Sequence, residues 1–150
     1  MSGSAPSGAL QVTVPAAAHD AFKQLKRRAL RYVIFAVDAG FALTVERSAP
    51  PSAGASDFVK ALPASAARFG VFDYEFTTRD GRKASKIVCI LWTPSAAVGK
   101  DAMLYSSQRR ALDALFSGVE DAQCSSAAAV GKLIGLGAED ESEGEWDPDA

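Results

Sequence analysis

Ser85–Leu112 reads SKIVCILWTPSAAVGKDAMLYSSQRRAL, and the order of its parts decides the fold. Lys86–Trp92 is an almost continuous apolar run, which predicts a central strand covered on both faces. Pro94 ends it. From Lys100 to Phe116 the pattern changes to that of a helix with 3.6 residues per turn. On such a helix Leu104, Gln108, Ala111, Leu112 and Leu115 share one side, flanked by Tyr105 and Phe116. The other side carries Met103, Ser106 and Arg110, edged by Lys100, Ser107, Arg109 and Asp113. A methionine set among serines and arginines, away from the core stripe, fits a face that docks on a partner, because Met adapts to a groove and Arg is enriched at interfaces. A solvated face with one stray Met has the same pattern, since single exposed apolar residues are ordinary.

The rest of the chain supplies the other elements. Pro15 suits the first turn of a helix, predicted over Ala16–Arg28 with Ala18, Phe22, Leu25 and Ala29 facing the core. Lys26, Arg27 and Arg28 favour its C-terminal dipole. Tyr32–Val37 is a short β-forming run, and Asp38–Gly40 a hairpin turn. A half-exposed strand follows, with Phe41, Leu43 and Val45 on one face. Ser48–Gly54 is a Pro-rich loop. Ser56 is placed to cap a short helix from Asp57 to Leu62, closed by Pro63. Arg68–Thr78 reads as a strand with Phe72, Tyr74 and Phe76 on one face, and Thr78–Arg82 as a turn built on Asp80-Gly81. An extended piece lies near Glu120–Cys124. Ser125 or Ser126 then caps a final helix reaching Leu133–Leu136, weakened by Gly131 and Gly135. Strands flanked by helices give an α/β (α+β) sandwich.

The net charge of -2 conceals a division. The last twelve residues, EDESEGEWDPDA, hold seven of the 18 acidic residues and no basic one, leaving 11 acidic against 16 basic residues up to Ala138. A basic body suits an acidic partner such as a protein surface, an anionic lipid or a nucleic acid. Aromatics confined to core faces argue against nucleic acid. Two cysteines, Cys89 and Cys124, in no paired spacing point to a reducing compartment, and Cys89 to a buried thiol. No apolar stretch reaches the length of a membrane span, and MSGSAPSG lacks the regions of a signal peptide, so the expected compartment is the cytoplasm. No active site stands out. His19 reads as a surface residue without a nucleophile beside it. Two cysteines and one histidine at unrelated spacings make no zinc site. Gly131, Gly135 and Gly137 lack the order of a phosphate loop. Asp73 and Glu75 project from the same side of a strand and could mimic a carboxylate pair, or serve as a solvated edge or a partner for a nearby base. The expectation is a binding protein, not an enzyme, with no metal and no cofactor.

SKIVCILWTP followed by KDAMLYSSQRRAL resembles the strand and long helix of the actin-depolymerising factor (ADF)/cofilin family. AFKQLKRRALRYVIFAV is similar to that family's first helix and strand. FVKALPASAARFGVFDYEFTT is similar to its second helix, Leu-Pro turn and third strand, with FDYEFTT close to plant members in particular. The resemblance implies a single ADF-homology domain over residues 12–137, with a mixed five-stranded sheet between helices. It leaves a flexible arm at 1–11 and an acidic, disordered tail at 138–150. It implies contact with monomeric actin through Lys100, Met103, Ser106, Arg109 and Arg110, with Ser7-Gly8 of the arm beside them, and phosphoinositide binding through Lys100, Arg109 and Arg110. Arg110 stands where many relatives carry an acid. Contact with filaments would fall to Lys83 and Lys86. Ala84 occupies the place of the first of the two usual bases, and Lys83 precedes it by one residue, on the opposite side of a strand. Ser2, Ser4 and Ser7 are the phosphorylation candidates, since a phosphate there opposes contact with an acidic partner. The function implied is binding of actin monomers and filament sides with filament disassembly or severing, as a monomer in the cytoplasm and cytoskeleton and also in the nucleus. Alternatives are a glia-maturation-factor-like or coactosin-like regulator of the same fold, and an actin-independent phosphoinositide-binding or adaptor module. The tail, with Trp146 among acids, suggests competition with actin for the basic face, a likeness to the acidic Trp tails of nucleation-promoting factors, or plain solubilisation.

Overall fold

The computed structural model describes residues 12–97 and 99–134. In chain order they form α1 (Ala16–Lys26), β1 (Tyr32–Val37), β2 (Leu43–Ala49), α2 (Ala55–Ala61), β3 (Arg68–Thr77), β4 (Lys83–Trp92), α3 (Gly99–Ala111), β5 (Glu120–Cys124) and α4 (Ala127–Leu133). The strands make one sheet in the order β2-β1-β3-β4-β5. Every pairing is antiparallel except β4 with β5. A parallel pair needs a crossover connection, and α3 supplies it. The sheet is therefore mixed and five-stranded, as the family resemblance implies.

Side chains alternate across a strand, and here the alternation builds two cores. Val33, Phe35, Phe69, Val71, Cys89 and Leu91 face one way and are buried with Ala18, Phe22 and Leu25 of α1 and Tyr105 of α3. Tyr32, Ile34, Phe72, Tyr74, Val88, Ile90 and Trp92 face the other way, with Phe58 of α2 and Val130 of α4. Each large apolar side chain so buried contributes roughly 1.5–3 kcal/mol. Gly70 lets α2 come close: a Cβ there would lie 2.7 Å from Cζ of Phe58.

Several boundaries differ from the sequence reading. α1 stops at Lys26 because Arg28 takes a left-handed conformation, φ 66°. Ala29 is thus exposed, and Ala21 fills the core face instead. α2 starts before Ser56, and the carboxylate of Asp57 accepts the N–H of Gly54 at 3.0 Å. Regular α3 ends at Ala111, which is exposed, and turns carry Leu112, Leu115 and Phe116 into the core. β4 is an interior strand buried over Val88–Trp92, as expected, with β3 in the middle of the sheet. Ser126 is the cap of α4, its hydroxyl accepting the N–H of Ala129 at 3.1 Å. The arm at 1–11, the tail at 138–150, Gly135, Leu136 and Gly137 lie outside the described residues.

The β3–β4 pair outruns its neighbours. β1 pairs with β3 only as far as Tyr32–Phe72, and β5 joins β4 only from Val88 onward. Asp73–Thr77 and Lys83–Ile87 pair with each other as a two-stranded ribbon. Its turn uses Gly81 at φ 89°, a conformation that glycine adopts without a Cβ clash.

Candidate functional site

α3 is fastened to three separate segments by polar contacts on its inner side. Asp101 accepts the N–H of Ala67 at 2.8 Å. The Tyr105 hydroxyl accepts the N–H of Val37 at 2.7 Å. Gln108 Oε1 accepts the N–H of Val12 at 3.0 Å. These residues recur at helical spacing, so one stripe anchors the helix and the opposite stripe is left for solvent. The sequence pattern gives the inner side to Leu104, Gln108 and Ala111, with Tyr105 at its flank. Gln108 is buried there, but the tethers bring Tyr105 fully in and leave Leu104 partly buried and Ala111 exposed.

The outer stripe holds Lys100, Met103, Ser106 and Arg110, all exposed. Met103 is 72% exposed, and among the described residues it is the large apolar side chain so placed. Its neighbours leave it in a cationic, hydroxyl-bearing setting. The Val12–Gln108 bond also sets where the N-terminal segment departs, directly beside α3. Ser2, Ser4, Ser7 and Gly8 lie outside the described residues.

Arg109 does not share this outward position. Its side chain is 14% exposed. One guanidinium nitrogen meets Asp113 at 3.0 Å, and another donates to Asp121 of β5. The guanidinium stands 5.2 Å from the centre of the Phe116 ring, within cation–π range. Arg109 therefore stitches α3 to the edge strand. Cys89 lies beneath this stitch, fully buried, with its thiol pushed up to about 12 by burial. Such a thiol is inert rather than nucleophilic. Cys124 is also free and buried.

The ribbon separates the two lysines assigned to it. Lys83 sits opposite Thr77 and is exposed, on the face that includes Ser85 and Glu75. Lys86 sits opposite Tyr74 on the other face, is 17% exposed, and meets Glu120 at 3.6 Å. The one-residue offset of Lys83 thus puts the two charges on opposite sides, as alternation requires. Asp73 and Glu75 make no catalytic pair. Glu75 lies 3.7 Å from Arg31. Asp73 is 3% exposed, and its Oδ1 has no hydrogen-bond partner. Burial raises its carboxyl above the usual range, and nearby Arg28 and Arg31 offset this only in part. Among the described residues no cluster of His, Cys, Asp or Glu could hold a metal ion, and no helix is long and apolar enough to cross a membrane.

Sequence reasoning missed the three tethers and the inward role of Arg109. Asp101 and Gln108 on a helix gave no sign of their partners, which lie 34 and 96 residues away.

An exposed Met/Lys/Arg stripe on a rigidly held helix, beside a projecting basic ribbon, is the geometry of a protein-binding module. The family model described as cofilin/tropomyosin-type actin-binding protein matches residues 11–130, and the chain belongs to that family. Among its relatives is an actin-depolymerizing factor of Brassica napus, 38% identical over 88 residues, which are 59% of this chain and 69% of that protein. Actin-depolymerizing factor 1 of Zea mays is 36% identical over 100 residues, covering 63% and 72%. The crystal structure of Streptomyces griseoflavus cofilin superposes with a TM-score of 0.73 at 28% identity, covering 85% of this chain and 96% of that one.

Proposed function

We propose that this chain binds monomeric actin through the outer stripe of α3, binds filament sides through the β3–β4 ribbon, and promotes filament disassembly. The observation that carries the reading is the stripe Lys100–Met103–Ser106–Arg110, exposed on a helix whose inner side is tied down at Asp101, Tyr105 and Gln108. A rigid helix loses little freedom on docking. Arg110 and Lys100 supply the charge for an acidic partner, and Met103 the adaptable apolar centre. Ser7-Gly8 would enter the same contact, since the chain leaves the fold at Val12 next to α3.

Disassembly follows from differential binding. A protein that favours one subunit conformation, such as the ADP-bound one, draws the filament toward it. The same reading makes the chain a binding protein and not a catalyst, resident on the cytoskeleton. Relatives named actin-depolymerizing factors support this branch over the glia-maturation-factor-like and coactosin-like alternatives. Phosphoinositide binding, if it shares the α3 face, rests on Lys100 and Arg110, because Arg109 is engaged by Asp113 and Asp121. Severing through the ribbon is the weaker part of the activity, since Lys83 and Lys86 point to opposite faces.

The test is depolymerisation of pyrene-labelled filaments alongside a pelleting assay. Faster loss of polymer, with the protein in both pellet and monomer complex, supports the reading. Binding to anionic liposomes with no effect on actin would instead favour the phosphoinositide or adaptor module.

A further inference from the structure

The positive charge of the body is not spread evenly, and the structure shows where its surplus lies. On and around α3, Lys100, Arg109 and Arg110 are balanced in number by Asp101, Asp113 and Asp121, of which Asp113 and Asp121 are both bonded to Arg109. The surplus gathers around the end of α1 and the β3–β4 ribbon. Arg27 and Arg28 follow α1, and Lys83 begins β4 beside the turn that carries Arg82, itself paired with Asp80. The two groups meet: Arg28 and Lys83 line one open groove of about 540 Å³ with Thr77, Ser85 and the carboxylate of Glu75. Of the acids at this end, Asp73 is buried near Arg28 and Arg31, and two others are paired. Asp80 pairs with Arg82 at 3.1 Å, and Glu75 lies beside Arg31.

We propose that this cationic end is the docking surface for the chain's own acidic segment, Glu139–Asp149. Charge complementarity points to that occupant, because the segment holds seven acidic residues and no basic one. Chain length permits it. Leu133 and Ile134 of the α4 region lie in the apolar layer of Tyr74 and Phe76, on the face of the ribbon opposite Lys83, so the segment passes round the ribbon to reach the groove. Glu139 follows Ile134 by five residues, a span on the order of 17 Å when extended. Tethering raises the local concentration of the segment to the millimolar range without any strong individual contact. The contact is electrostatic between exposed groups, so it weakens as the Debye length falls from about 30 Å at 0.01 M salt to about 8 Å at 0.15 M. Its consequence for actin rests on the assignment of the ribbon to filament binding: the docked segment would compete with filaments and leave the α3 face open to monomers.

The test uses the full chain. Amide spectra are recorded at low and at high salt for wild type and for a variant with Glu139, Glu141, Glu143 and Glu145 changed to Gln and Asp140, Asp147 and Asp149 changed to Asn. Docking requires salt-dependent shifts at Arg28 and across Thr77–Lys83 in wild type, absent from the neutral variant, together with release of the Trp146 indole signal in Arg79→Glu/Lys83→Glu. An unmoved ribbon, or shifts confined to Lys100–Arg110, would overturn the proposal. In pelleting assays at low salt the neutral variant should bind filaments several-fold more tightly, with monomer affinity unchanged. Ribbon shifts without that gain would uphold the docking and refute the ribbon's role in filament binding.

Discussion

Arg109 and Arg110 are neighbours in sequence with different surroundings. Arg109 is folded onto Phe116, Asp113 and Asp121, whereas Arg110 is exposed. Arg110→Ala should therefore weaken actin binding and change stability by less than about 0.5 kcal/mol. Arg109→Ala should destabilise the fold by about 1–2 kcal/mol, discounted for the exposure of its two carboxylate partners. Thermal melts beside monomer titrations separate the two effects, and equal losses of stability would show that Arg110 is also structural. Asp73 gives a pH signature. Its carboxyl is raised in the folded state by burial, with Arg28 and Arg31 opposing and Glu75 adding to the rise. A raised pKa means its contribution is most favourable below the unfolded carboxylate pKa and is lost as pH rises through the folded value. Asp73→Asn should raise the melting temperature at pH 7, with the gain shrinking as the pH falls toward the ordinary aspartate range. A gain independent of pH would contradict this. Both cysteines should resist a thiol reagent in the native state and react on unfolding, since each is buried with a raised thiol pKa.

The elements follow from local pattern more closely than their edges do. Tyr32–Val37 and Lys86–Trp92 were legible because runs of β-formers too short for a helix leave little choice. The Asp80-Gly81 turn was legible because a left-handed residue is needed there and glycine supplies it. The end of α1 was not, since it depends on Arg28, a non-glycine residue at φ 66°. The buried stripe of α3 was misplaced by part of a turn. Its orientation is set by Val12, Val37 and Ala67, which no helical periodicity records. Gly70 marks a close contact between β3 and α2. Gly70→Ala would drive a methyl into the Phe58 ring, so α2 must shift, at a cost of about 1–3 kcal/mol in denaturant unfolding. A neutral outcome would show that α2 floats freely on the sheet. Ser126→Ala should cost about 1 kcal/mol through loss of the α4 cap.

Across the whole molecule, the sandwich and its parity were readable because two apolar faces on one sheet demand a helical layer on each side. The surface was less readable. A helix face that docks on a partner and a merely solvated one have the same sequence pattern, and the tethers beneath α3 mark a held platform. The sequence displayed the acidic C-terminal stretch at once, yet it hid the place of the compensating surplus. That place depends on which arginines are already engaged, and Arg109 finds Asp121 twelve residues away. The division of charge between α3 and the ribbon implies two surfaces that respond differently to salt, with the ribbon the more sensitive.

The central assignment is the outer stripe of α3, and equilibrium titration of fluorescent ADP-actin monomers with wild type and Lys100→Ala/Arg110→Ala reads it directly. Both chains should melt alike, and the variant should bind about tenfold or more weakly, a loss of about 1.4 kcal/mol or greater. Unchanged affinity in a correctly folded variant would place the monomer contact on another face and refute the assignment.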